Sequence, residues 1–379
     1  MKQVFWILLA GLFSGISHCV TAQPSHPTVD GPYIFYKGDY GYAKRIEKKG
    51  KKLKLKIDSF KVSDRADTKF RVDVDGYPDW SFTVKLKKKI SPRSASFSGS
   101  EPMLFLSDIE GEFTAFREIL LANNVIDSNY NWLFGKGRLV IAGDLFDRGK
   151  QVTPYLWLLY KLEDDARAKG GDVNVILGNH DIMNFKGDYR YVQPLYWANA
   201  KLMHESYSDL HNADTELGRW LRSKNIIEKI GDMLVMHGGM SADALEQKLT
   251  VDEINNASRP YLDKSSKVTP DILKSFLGNQ GVFWYRGYFT KSRASMQTVD
   301  ATLKQYKVKY IVVGHTIIKQ NIGLYYGGKV VGLDVNEHKG DRAAALYTKG
   351  KWYVLDASGN KKELIYNEDN DTIKTEDID

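Results

Sequence analysis

Three observations predict an α/β fold preceded by a small β-rich appendage. From residue 103 onward, short apolar runs of strand length alternate with longer stretches of helical periodicity. Residues 31–90 instead alternate polar with apolar side chains in "KLKLKI", "KFRVDV" and "WSFTVKL", broken at "KKG" and "DGYPDW", as one-sided strands and turns do. Between the two regions, "SPRSASFSGSEP" is Ser-rich and Pro-flanked and predicts a linker over 91–102. The 379 residues allow one large domain or a core with an appendage.

The chain opens with Lys2 and the apolar run Val4 to Ile16, and "VTA" stands before Gln23. This pattern predicts a secretory signal peptide over 1–22, cleaved after Ala22 and too short to span a bilayer comfortably. A periplasmic or secreted protein follows, with no transmembrane segment after cleavage. The single cysteine, Cys19, lies inside that segment, so the mature chain can form neither a disulfide nor a thiolate metal site. His18 is bulky where lipoprotein signals carry a small residue, which argues against a lipid anchor at Cys19. The net charge of +7 invites a polyanionic partner. Its lysines, however, cluster in "KRIEKKGKKLKLKIDSFK" and "KLKKK" with acids between them, and the tail "NEDNDTIKTEDID" is acidic. A solvated strand face explains that pattern, and no nucleic acid partner is expected.

After the linker, "MLFLSD" reads as a buried strand and "FTAFREILLANN" as a helix with Phe113, Phe116, Ile119 and Leu120 on one face. "RLVIAGD" is a second strand, "TPYLWLLYKLEDDARAK" a helix and "DVNVILGNHD" a third strand. Residues 185–228 are rich in Tyr and Trp and read mostly as helix. Then come the strand "MLVMHGG", more helix over 241–277, the strand "KYIVVGHT" and a hairpin in "RAAALYTKGKWYVLD". No internal repeat is visible.

Each of those five strands ends in residues that can bind a metal or a phosphate: Asp108 and Glu110, Asp144, Asn179 and His180, His237, His315. Sites in α/β folds form at the carboxyl ends of strands. The first three ends are about one βαβ unit apart, so their loops should emerge side by side. Oxygen and imidazole donors without cysteine suit two divalent ions that share a carboxylate, with manganese, iron or zinc favoured over calcium or magnesium. Other residues get plainer readings. His204 and His211 are expected at the surface, and "YRYVQPLYW" in core or lid. His338 receives no role.

At this point "GDLFDRG" (143–149), "GNHD" (178–181), "HGG" (237–239) and "GHT" (314–316) resemble, in order and spacing, the calcineurin-like metallophosphoesterases. The likeness covers about residues 103–335, and "HGGMS" and "FWYRGYF" look like the bacterial Shewanella-like phosphoprotein phosphatases. The resemblance implies a two-sheet sandwich flanked by helices over a domain at 103–365. It makes Asp144 the bridging ligand, puts Asp108 and the residue at 110 on the first metal, and puts Asn179, His237 and His315 on the second. His180 would be the general acid, Asp147 its carboxylate partner and Arg148 the phosphate-binding arginine. Asn179 and Arg286 would also face the substrate. The family's motif has an imidazole where Glu110 stands, and we expect the carboxylate to ligate in its place. The implied function is hydrolysis of phosphate monoesters, phosphopeptides or small esters, by a hydroxide at a two-metal centre. One alternative is a nucleotide or dinucleotide polyphosphate hydrolase with Trp197, Tyr285 and Tyr288 stacking at its mouth. Another is an envelope-binding module with a degenerate metal site.

Overall fold

The computed structural model describes residues 26–99, 102–290, 293–318 and 322–371. The expected signal peptide and Cys19 lie outside these residues. Two six-stranded sheets form the centre. In the first, the strands run in the order Lys361–Glu363, Lys351–Asp356, Ala343–Thr348, Met103–Leu106, Arg138–Ala142, Asp172–Ile176. Its last three members are parallel, and Ala343–Thr348 joins antiparallel with Ala345 opposite Phe105. The second sheet has the order Gly323–Tyr325, Val330–Gly332, Tyr310–Val313, Met233–Met236, Ile227–Ile230, Ser96–Phe97.

Side-chain alternation along the strands makes these sheets a sandwich, because successive residues point to opposite faces. Phe105, Val140, Ala142 and Ile176 of the first sheet meet Val235, Val312 and Val331 of the second in one buried cluster. Their neighbours Leu104, Leu106, Leu139, Ile141, Val173 and Val175 face outward, into a cluster shared with the helices Phe113–Ala122 and Val152–Ala168. On the far side, Leu234, Met236, Ile311 and Val313 pack against Ile254, Phe276 and Val299 of the helices Val251–Ser258, Asp271–Leu277 and Met296–Tyr306. Both sheets are therefore covered on both faces, which is why their strands read as unbroken apolar runs.

The N-terminal region is a three-stranded antiparallel sheet, Asp30–Lys37, Tyr40–Lys49 and Lys52–Lys61, followed by a hairpin of Lys69–Val72 and Phe82–Lys85. Lys52, Lys54 and Lys56 are exposed on the edge strand, where charge discourages pairing with another chain. The opposite side is no free-standing core. Tyr33, Ile34, Val72 and Val84 belong to the same cluster as Tyr155, Trp157, Tyr160 and Trp220. Trp157 Nε1 donates to the Pro32 carbonyl, and Arg65 makes a two-pronged ion pair with the buried Glu216.

Two segments depart from the sequence expectation. Within the expected linker, Ser96–Phe97 adds a parallel edge strand beside Lys229 and Ile230, and Arg93 forks onto Asp172 at 2.9 and 2.6 Å. The expected helix through 228 gives way to the strand Ile227–Ile230, antiparallel to Met233–Met236. The long-range pairing of Ser96–Phe97 with Lys229 and Ile230, and the local hairpin with Met233–Met236, override the linker and helical readings of these stretches. Among the described residues, no helix is long and apolar enough to cross a membrane.

Candidate active site

The strand ends meet at one edge of the sandwich, in a cleft of about 420 Å³. Asp108, Glu110, Asp144, Arg148, Asn179, His180, Arg286 and His315 all line it. Asp147 and His237 lie behind that wall, both buried. Close backbone approach makes the convergence possible. A Cβ on Gly178 would lie 2.1 Å from Asp144 Oδ1, and one on Gly314 1.9 Å from Ser107 Oγ. Only glycine lets those loops touch.

The donor atoms fall into two groups, Asp144–His237–His315 and Glu110–Asp144–His180, each with its atoms within 4.8 Å of one another. Asp144 belongs to both. His237 Nδ1 faces the Ala142 carbonyl at 2.8 Å, which aims Nε2 inward, at 2.8 Å from Asn179 Oδ1 and 3.1 Å from Asp144 Oδ2. An outer hydrogen bond of this kind fixes the ring of a metal-binding histidine. Asp108 Oδ2 accepts from the Ser107 hydroxyl and from the His315 backbone N–H. Two buried polar atoms, His315 Nε2 and Asp334 Oδ1, have no partner among the described residues.

These orphaned atoms, with four carboxylates converging on imidazoles, fit the site to divalent cations. Burial, with Asp108, Glu110 and Asp144 nearby, pushes the Asp334 carboxyl well above its ordinary range. Burial also moves Asp108 up to about 6, only partly opposed by His237. A cation among them would remove both penalties.

Next to this cluster, His180 Nδ1 is 2.7 Å from Asp147 Oδ2. Asn184 donates to Asp147 Oδ1 and accepts from the Tyr207 hydroxyl, both at 2.8 Å. Burial disfavours the imidazolium, but Asp144, Asp147 and Glu110 outweigh it and push His180 up to about 9. Arg148 pairs with Glu110, and its guanidinium lies 5.1 Å from the ring centre of Tyr191. Tyr191 is 41% exposed, and its ring is centred 5.0 Å from that of His180. Arg286 donates to the His315 carbonyl at 2.6 Å and to Thr316 Oγ1 at 3.2 Å.

The structure corrects two expectations. Tyr285 and Tyr288 are buried in the helical core of the second sheet, and Trp197 packs against Tyr189 and Tyr207, so none lines the cleft. Aromatic side chains fill cores more often than they stack ligands. His211 is half-buried rather than exposed. Its ring packs on Tyr33 and Phe146, its Nε2 is buried, and burial with nearby Arg222 pushes it down to about 3. It ends the 3₁₀ turn Tyr207–His211, in which Tyr207 and Leu210 are buried. His204 is exposed.

Sequence reasoning also missed Asp334, His338, Asp181, Asn184 and Tyr207. Asp334 follows the strand Val330–Gly332 and could have been found by the same strand-end rule. Asp181 accepts from the Leu145, Phe146 and Gly178 backbone N–H groups, tying two site loops together.

The family model for calcineurin-like phosphoesterases matches residues 102–319, more than half of the chain. The chain belongs to the calcineurin-like phosphoesterase family. Among curated relatives of this calcineurin-like phosphoesterase, Shewanella-like protein phosphatase 1 of Plasmodium berghei is 29% identical over 230 residues. That match covers 56% of this chain and 60% of the Plasmodium protein. Shewanella-like protein phosphatase 2 of Arabidopsis thaliana is 25% identical over 293 residues, 64% of this chain and 73% of that protein. Among solved structures, the cold-active protein tyrosine phosphatase of a psychrophilic Shewanella species is 32% identical with a TM-score of 0.79. It covers 89% of this chain and 99% of its own.

Proposed function

We propose that this calcineurin-like phosphoesterase is an exported, metal-dependent phosphatase that hydrolyses phosphate monoesters, phosphorylated peptides among them. Asp108, Glu110, Asp144, Asn179, His237 and His315 would hold two divalent ions. The observation that carries the reading is Asp144, whose carboxylate belongs to both donor groups as a bridging ligand must. When bound, the ions would acidify a water and offset charge on the transferring phosphoryl group. The chain's own residues supply the remainder. Arg148 and Arg286 reach the cleft as guanidinium forks suited to phosphate oxygens. Asp147 holds His180 by Nδ1, which leaves Nε2 facing the cleft to protonate the leaving oxygen. Glu110 is a harder donor than imidazole and favours manganese over zinc.

Peptide substrates are supported by the likeness to a protein tyrosine phosphatase along nearly the whole of that protein. The aromatic stack expected for a nucleotide is lost with the burial of Tyr285 and Tyr288. The test is hydrolysis of para-nitrophenyl phosphate beside phosphotyrosine and phosphoserine peptides and dinucleotide polyphosphates. We expect turnover of the monoesters that a chelator abolishes and manganese restores. Turnover that survives thorough chelation would refute the metal-dependent reading, and a preference for dinucleotides would refute the substrate class. Metal identity is checked by elemental analysis of the native protein. Export is supported by the segment from Lys2 to Ala22; an N-terminus other than Gln23 on the mature protein would contradict the cleavage.

A further inference from the structure

His338 has no part in the scheme above, yet it enters the cleft on the segment that follows Val330–Gly332. Asp334, Val335, Asn336, His338 and Lys339 all contribute to the cleft wall. The ring of His338 stands between two carboxylates, with Nε2 bonded to Glu110 Oε2 and Nδ1 3.1 Å from Glu112 Oε1. The other oxygen of Glu110, Oε1, pairs with Arg148 and lies 3.4 Å from His180 Nε2. The two oxygens of one carboxylate thus have separate partners, on loops 38 and 228 residues away.

We infer that His338 is a positioning residue for the metal centre: backed by Glu112, it holds Oε2 of Glu110, so that Oε1, which pairs with Arg148 here, is the oxygen that would turn to an ion. The inference rests on the two-ion reading above. Its physical basis is the difference between the two side chains that can stand at position 110. An imidazole ligand is a rigid ring, oriented by one hydrogen bond on its far nitrogen. A glutamate has an extra torsion and two equivalent oxygens, so it can swing or switch between one-oxygen and two-oxygen coordination. Occupying one oxygen removes that freedom. The Glu112–His338–Glu110 chain does so from outside the ligand shell, where partners of metal ligands are worth roughly 10–100-fold in affinity.

The test is Mn²⁺ binding to the full-length protein, by calorimetry and chelator competition, for the parent, His338→Ala, His338→Gln and Glu112→Gln, with exposed His204→Ala as control. We expect two ions in the parent. His338→Ala should weaken one of them by roughly 10–100-fold and leave the other unchanged. His338→Gln, whose amide can still donate to Oε2, should recover part of the loss, and Glu112→Gln should lose less than His338→Ala. In the Co²⁺-loaded protein, His338→Gln should keep the parent's visible spectrum, because His338 is not itself a ligand. Parent affinity at both sites in His338→Ala overturns the inference. So does a changed Co²⁺ spectrum in His338→Gln, which would make His338 a direct ligand. If His338→Ala does not fold, Glu112→Gln at parent affinity together with an unrecovered His338→Gln overturns it equally. A parent protein that binds fewer than two ions refutes the two-ion reading instead.

Discussion

Six residues at the cleft hold a left-handed backbone without being glycine: Asp108, Glu110, Asp144, Asp147, Arg148 and His315. Each such residue costs roughly 1–3 kcal/mol unless its surroundings over-determine it. Here they do, since the Asp108 and Glu110 N–H groups donate to the Gly143 and Asp144 carbonyls at 3.1 and 3.0 Å. Gly149 N–H returns a bond to the Glu110 carbonyl at 2.8 Å. The strain aims short carboxylates at one point. Beside them His180, held by Asp147, can deliver a proton. His180→Ala should therefore lower turnover of alkyl phosphates by roughly 10²–10⁴, and that of para-nitrophenyl phosphate much less, because nitrophenolate leaves without a proton. Equal losses on both esters would remove His180 from the role of acid.

At the scale of elements, the parallel strands act as rails that end together, and the glycines after them set how closely the loops approach. Gly314 is the most confined of the site glycines, since a Cβ there would also lie 2.4 Å from Asp108 Oδ2. Gly314→Ala should push the 314–316 loop away from Asp108. We expect a loss of roughly 1–3 kcal/mol in denaturant unfolding, the usual cost of overpacking, together with weakened Mn²⁺ binding. Unfolding and Mn²⁺ affinity at parent values would show that the Ser107–Asp108 turn yields without consequence.

Across the whole molecule, the N-terminal sheet and hairpin share a hydrophobic cluster with the helices Val152–Ala168 and Glu216–Arg222. Removing residues 26–90 would uncover Tyr155, Trp157, Tyr160 and Trp220 and leave Glu216 without Arg65. Such a fragment should aggregate or lose cooperative unfolding, as judged by sedimentation and thermal melting; a soluble, active fragment would make the region an independent domain. His211 lies at this same junction between Tyr33 and Phe146. Its imidazole is pushed down to about 3 in the fold from an ordinary 6.5. Below pH 6.5 the unfolded chain takes up a proton that the folded chain refuses, so stability is lost as pH falls from 6.5 toward 3. Replacing His211 with Phe should remove roughly 2 kcal/mol of the stability difference between pH 6.5 and pH 5, measured by urea unfolding at both. An unchanged difference would mean that the ring reaches water.

By itself the sequence determined the alternation of buried strands and helices, the order of the strand-end motifs and the residues that converge, from Asp108 and Glu110 to His315. These were legible because strand burial and ligand chemistry are written in contiguous stretches of a few residues. Only the tertiary structure decided what distant chain segments do to one another. Ser96–Phe97 became an edge strand through pairing with Lys229 and Ile230, and the aromatic side chains of Tyr285 and Tyr288 went to the core. His338 reached Glu110 across 228 residues. No local pattern encodes such meetings, because they depend on which faces the sandwich brings together. The partners of Glu110 were therefore invisible until the loops were placed.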